Sequence, residues 1–82
     1  MKIQIGEVTH YFGNIGVAVL KLRDKLEVGD RIYFQGHTTD FDQIVTSMEI
    51  DHQPVTSVKP GDDFALKVHQ KVRNGDTVYK ET

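Results

Sequence analysis

Leu26-Glu27-Val28-Gly29-Asp30-Arg31-Ile32-Tyr33-Phe34-Gln35-Gly36 joins a Gly-Asp turn to an aromatic-rich segment that a second glycine closes. Glycine reaches the turn conformations that other residues avoid, and aspartate hydrogen-bonds the neighbouring backbone. Ile32 and Phe34 then share one face of a strand, with Arg31, Tyr33 and Gln35 on the other. The same device returns at Pro60-Gly61-Asp62-Asp63-Phe64 and at Asn74-Gly75-Asp76-Thr77-Val78. Each time Gly-Asp ends one segment and opens a β-prone one, so the chain reads as all-β.

On the N-terminal side, Ile3-Gln4-Ile5 alternates apolar and polar, and the phase slips across Gly6-Glu7. A glycine at a phase slip predicts a β-bulge, with Val8, His10 and Phe12 continuing on the opposite parity. Gly13-Asn14-Ile15-Gly16 predicts a hairpin turn into Val17–Leu22, which is apolar on both parities. Leu26 and Val28 are expected to pin the Gly29-Asp30 turn against the core.

On the C-terminal side, Phe41–His52 carries an even-numbered stripe of Ile44, Thr46, Met48 and Ile50, which predicts one long strand. A helix is the competing reading, disfavoured by β-branched Val45-Thr46 and by the lack of a good cap other than Asp40. Pro54 and Pro60 confine the segment between them to an edge or connector. Phe64, Leu66 and Val68 alternate strictly with Ala65, Lys67 and His69. Phe12, Phe34 and Phe64 are expected in the core.

Six or seven short strands with regular turns predict a small closed antiparallel Greek-key β-barrel, because closure removes exposed edges. The 82 residues make one domain over 1–82 that buries about 60–65% of its unfolded surface. With no cysteine there are no disulfides and no thiolate sites, which fits a reducing, cytoplasmic setting. No apolar run approaches the ~20 residues of a membrane span, so no membrane partner is expected. Ten Lys/Arg against 12 Asp/Glu leave a net charge of −2, which excludes bulk basicity as a nucleic-acid signal.

Chemistry-bearing residues are sparse. His37, Asp40 and Asp42, with His10 or His52, could ligate a divalent metal, but Thr38, Thr39 and Asp40 are ordinary turn formers, and no metal or other cofactor is expected. Ser47, Ser57 and the histidines form no nucleophile elbow, so no catalytic residues and no enzymatic activity are expected. Tyr11, Phe12, Tyr33 and Phe41 could stack on unpaired bases. Lys21, Arg23, Lys25 and Arg31, or separately Lys67, Lys71 and Arg73, could neutralise phosphates.

The order of signals resembles the second domain of the translational GTPases, the β-barrel known from elongation factor Tu. Ile15-Gly16-Val17-Ala18-Val19, the Leu26–Gly36 stretch, Pro60–Val68 and Val72–Val78 carry that resemblance. Thr9-His10-Tyr11-Phe12-Gly13 together with Gly36-His37-Thr38-Thr39-Asp40-Phe41 resembles small elongation-factor-like proteins and the C-terminal barrel of collagenase-like peptidase-family enzymes. The chain departs from the GTPases in having no Gly-x-x-x-x-Gly-Lys-Ser/Thr loop, so no nucleotide hydrolysis is expected, and in placing Asp24-Lys25 where a glycine turn is common.

The resemblance implies a non-catalytic module that contacts RNA, either tRNA or the ribosome. Tyr11, Phe12, Arg23, Lys25, Arg31, His37 and Thr38 are its expected contact residues. The alternative is a protein-docking adaptor for an enzyme or multiprotein complex, using the exposed face of Arg31–Gln35 or the edge near Pro54.

Overall fold

A computed structural model describes residues Met1–Thr82. The chain forms ten strands: β1 (Lys2–Phe12), β2 (Val17–Leu22), β3 (Leu26–Glu27), β4 (Arg31–Gln35), β5 (Asp40–Ile44), β6 (Met48–Ile50), β7 (Gln53–Val55), β8 (Ser57–Val58), β9 (Ala65–Lys67) and β10 (Thr77–Glu81). Eight make one antiparallel sheet in the order β5-β4-β10-β1-β2-β9-β6-β7, and β3 pairs with β8 in a separate ribbon.

The three Gly-Asp corners share one geometry. In Glu27–Asp30, Lys59–Asp62 and Arg73–Asp76 the last amide donates to the first carbonyl at 3.0–3.1 Å. The aspartate carboxylate accepts the first residue's amide at 2.9, 2.9 and 2.8 Å. Gly29, Gly61 and Gly75 hold φ of 99°, 94° and 95° at the third position, the conformation for which a turn of this class selects glycine. Each corner therefore satisfies three backbone groups, one amide through the aspartate side chain and an amide–carbonyl pair through the backbone, before the next segment begins.

The sheet is curled but not closed. β5 and β6 are separated by Val45–Ser47 alone, yet they stand first and seventh in the strand order. Six strand spacings across a flat sheet would need about 29 Å, whereas the four residues from Ile44 to Met48 reach about 14 Å. The sheet must bend its two ends together. The edge strands β5 and β7 nevertheless do not pair with each other. The gap is bridged by backbone bonds from Val28 to Thr56, Gly29 to Val45 and Val45 to Asp30, at 2.8–2.9 Å.

The result is an all-β half-barrel, which corrects the expected closed Greek-key barrel. The reason lies in residues 41–52. The expected single strand breaks at Val45–Ser47, and its halves join opposite ends of the sheet. The break also shifts the parity, so that Gln43, Val45 and Met48 are buried while Ile44 is 37% exposed.

Sixteen buried apolar residues form one core, including Phe34, Phe64, Ile5, Leu26, Ile32 and Met48. Each large side chain contributes about 1.5–3 kcal/mol by leaving water. Phe41 stacks on Phe34 at 5.0 Å between ring centroids. The buried Gln43 ties this core to β9: its Nε2 donates to the Lys67 carbonyl at 2.9 Å, and its Oε1 accepts the His69 amide at 2.8 Å. Val28, expected to pin its turn, is exposed, and Leu26 alone carries that role.

Two bulges in β1 decide which side chains face out. Register shifts occur between Gln4 and Gly6 against β10 and between Val8 and His10 against β2. The first lies at the predicted phase slip. The second inserts Thr9 and reverses the parity again, because one extra residue turns every later side chain to the other face. His10 and Phe12 therefore point outward, and Phe12 is not a core residue.

Candidate outer-face groove

The second bulge builds a surface across β1, β2, β9 and β6. In one cross-strand row, His10 pairs with Val19, Val19 with Ala65, and Ala65 with Glu49; in the next, Phe12 pairs with Val17 and Val17 with Lys67. Ala18, Leu20 and Leu66 lie between these positions and point into the core. The outer row is therefore apolar at its centre by strand alternation alone.

A groove of about 420 Å³ opens on this face. Its floor is Phe12, Ile15, Val17, Val19, Phe64 and Ala65, and its rim is Glu49, Asp51, His52 and Asp63. Phe12 and Ile15 are 42% and 57% exposed, and the His10 and Phe12 rings meet at 4.2 Å. Three carboxylates border the floor without a lysine or arginine in the lining, and none of them is in an ion pair. A smaller polar depression of about 140 Å³ lies at the Gly6 bulge, among Gln4, Glu7, Lys21 and Arg23.

Asp51 and His52 form the two-residue turn between β6 and β7, closed by the Ile50–Gln53 pair. Both adopt positive φ, 51° and 64°. Two-residue hairpins of this type favour Asn-Gly, because left-handed backbone costs a residue with a Cβ about 1–2 kcal/mol. The turn accepts that cost while placing a carboxylate and an imidazole at the groove rim. Sequence reasoning missed it because no glycine marks the position.

The predicted contact residues do not gather at one place. Tyr11 is half-buried against the core, and Phe12 lies on the groove floor. The Arg23 amide bonds the Ile5 carbonyl, seven residues back along β1 from Phe12 and about 20 Å away. Lys25 is exposed in the β2–β3 turn, where its amide donates to Asp24 Oδ1 and its carbonyl accepts the Lys80 ammonium, both at 2.8 Å. Arg31 starts β4 and is ion-paired with Asp42. His37 and Thr38 are exposed in the loop beyond the far end of that strand, which is about 14 Å long. His37, Asp40 and Asp42 form no cluster of three metal-ligating groups.

The outer face of β4, the alternative docking surface, is occupied by its own contacts. The Tyr33 hydroxyl donates to Glu81 Oε1 at 2.7 Å, and the Lys2 ammonium lies 4.3 Å from the Tyr33 ring centroid. That hydrogen bond holds the Tyr33 pKa above its ordinary value. Glu81 is held low, first by its bond from the N-terminal amine and then by Tyr33.

Fold and site together define an all-β half-barrel module with a filled interior and an apolar, acid-rimmed groove on its outer face. No protein-family model matches the chain. The chain is 39% identical over 84 residues to an uncharacterized protease of Methanocaldococcus jannaschii, covering 99% of itself and 21% of that protein. It is 32% identical over 81 residues to a collagenase of Porphyromonas gingivalis, covering 96% of itself and 20% of the relative. The chain thus spans about a fifth of the length of the curated relatives it matches.

Two crystal structures of the C-terminal domain of a candidate U32 peptidase from Geobacillus thermoleovorans share the fold. One has a TM-score of 0.86 at 21% identity, covering 95% of this chain and 91% of that one. The selenomethionine variant has a TM-score of 0.85 at 19% identity, covering 93% and 96%. Of the two resemblances drawn from sequence, the one to collagenase-like peptidases holds.

The translation-factor reading and its RNA-binding role are overturned, because the relatives are proteases and collagenases by name. Gly-Asp corners and short alternating strands specify how a small sheet turns, and they carry no information about a ligand. No helix is long and apolar enough to cross a membrane.

Proposed function

We infer that the chain is a non-catalytic docking module of a U32-type peptidase. The observation that carries this reading is the match itself: nearly the whole chain aligns at 39% identity with about a fifth of a protease. The remaining four-fifths of such a relative is large enough to hold a catalytic centre, and a half-barrel with a filled core supplies a rigid face for attachment. The exposed apolar groove supports docking, because contiguous apolar surface on a small domain marks an interaction site.

The test is association in trans. The M. jannaschii relative, with the matching region deleted, is mixed with the 82-residue chain and analysed by size-exclusion chromatography with light scattering. The relative's own matching region serves as the positive control. A one-to-one complex with this chain is expected. Complex formation by the control region but not by this chain would show that the module serves another purpose.

A further inference from the structure

From the apolar floor, the unpaired acidic rim and the strained turn that carries part of that rim, we propose that the outer-face groove binds a polypeptide segment of the peptidase. That segment presents an apolar side chain flanked by lysine or arginine. The proposal rests on the docking reading above and specifies its surface and its partner chemistry.

Charge selects the occupant. Glu49, Asp51 and Asp63 stand around a floor that includes Val19 and Ala65, and none of them is in an ion pair. The one cation beside the floor, Lys67, is held by the Ile15 carbonyl at 3.3 Å, which leaves three carboxylates against one ammonium. Like charges around a low-dielectric floor reinforce one another's potential, attracting cations and repelling acidic segments. An apolar side chain entering the floor would bring its flanking residues to the rim. Basic flanks gain charge-assisted hydrogen bonds there, and acidic flanks meet repulsion. The groove's volume falls in the range of ~300–1,000 Å³ typical of binding clefts.

The Asp51-His52 turn points the same way. A sequence selected for hairpin stability alone would place Asn-Gly or Asp-Gly where both residues take positive φ, so His52 is the departure. Retaining a left-handed residue with a Cβ, His52, at the rim of an exposed apolar groove is the pattern found at binding sites. Addition of a partner strand at the neighbouring edge is the weaker mode, because Pro54 in the three-residue β7 lacks the amide such pairing needs. The partner is therefore held by side chains in the face.

Methyl NMR of the 82-residue chain, titrated with two synthetic nonapeptides, tests the proposal. Both peptides carry a central Leu-Phe pair, flanked by lysines in one and by glutamates in the other. The lysine peptide is expected to shift the Ile15, Val17 and Val19 methyls and to bind at least tenfold more tightly than the glutamate peptide. Added salt and the triple substitution Glu49→Gln, Asp51→Asn, Asp63→Asn should each erase the difference. Equal binding of both peptides, no binding of the lysine peptide, or shifts confined to another face would overturn it.

The same triple variant, mixed with the truncated peptidase, separates this proposal from the docking reading. Association that the substitutions leave unchanged overturns the groove and leaves docking standing. Absence of association by the unsubstituted chain, with the lysine peptide still bound, overturns docking and leaves the groove standing.

Discussion

Asp76 Oδ1 occupies the space that a side chain on Gly36 would need: a Cβ built on Gly36 falls 1.9 Å from that oxygen and 2.7 Å from Asp76 Cγ. Asp76 cannot swing away freely, because it is buried and its other carboxylate oxygen accepts the Arg73 amide at 2.8 Å. The glycine that closes β4 and the aspartate of the third corner are thus a matched pair.

Gly36→Ala should therefore destabilise the fold by about 1–3 kcal/mol, the usual cost of overpacking a tight site. Urea unfolding measures it. A change below ~0.5 kcal/mol would mean that the corner yields without loss.

The second corner gives a dependence on pH. The Lys59 backbone amide and then its ammonium hold the Asp62 carboxyl below the usual aspartate range. A carboxyl whose pKa is lower folded than unfolded stabilises the fold above its unfolded pKa and loses that contribution as pH falls through the folded value. The melting temperature of the protein should exceed that of Asp62→Asn at pH 6, and the two should converge toward pH 2. A difference that stays constant with pH would assign the effect to packing.

Gln43 tests the link between the sheet's two ends. Gln43→Leu leaves the Lys67 carbonyl and the His69 amide without their partners, at about 1–3 kcal/mol for each group left buried and unpaired. Hydrogen exchange at His69 should accelerate more than exchange at Val78 on the opposite side of the sheet. Equal acceleration at both amides would indicate global destabilisation instead of a local clamp.

Replacing Asp51-His52 by Asn-Gly should stabilise the chain by about 1 kcal/mol, because glycine takes the positive φ at position 52 without a Cβ clash. The same change should weaken peptidase binding, since it removes one rim carboxylate. Thermal denaturation gives the first quantity and calorimetric titration the second. Loss of stability would mean that the two side chains hold the turn together.

Much of the fold was legible wherever local chemistry and strand alternation agree. The three Gly-Asp corners, the inward Ile32 and Phe34, and the Phe64-Leu66-Val68 stripe are all in place. The reading failed where one inserted residue changes parity. The Thr9 bulge turned Phe12 from expected core to surface, and the break at Val45–Ser47 exchanged Ile44 for Gln43 and Val45. A polar residue such as Gln43 gives no sign in a hydrophobic pattern that it will be buried.

The groove was illegible for a related reason. Its floor comes from alternate residues of β1, β2 and β9, which become neighbours only through pairing, and its rim includes a left-handed turn with no glycine to announce it. The aromatic and basic residues chosen from sequence were assembled by type, whereas strand length places them at separate ends of the sheet.

The decisive measurement is calorimetric titration of the truncated M. jannaschii relative with the 82-residue chain and with its Phe12→Ser, Ile15→Ser variant. Phe12 and Ile15 are 42% and 57% exposed and lie outside the core, so the substitutions should cost about 1–2 kcal/mol and leave the chain folded. Docking through the outer face predicts binding by the unsubstituted chain and at least tenfold weaker binding by the equally folded variant. Failure of the unsubstituted chain to bind, while the relative's own matching region does, would contradict a docking role.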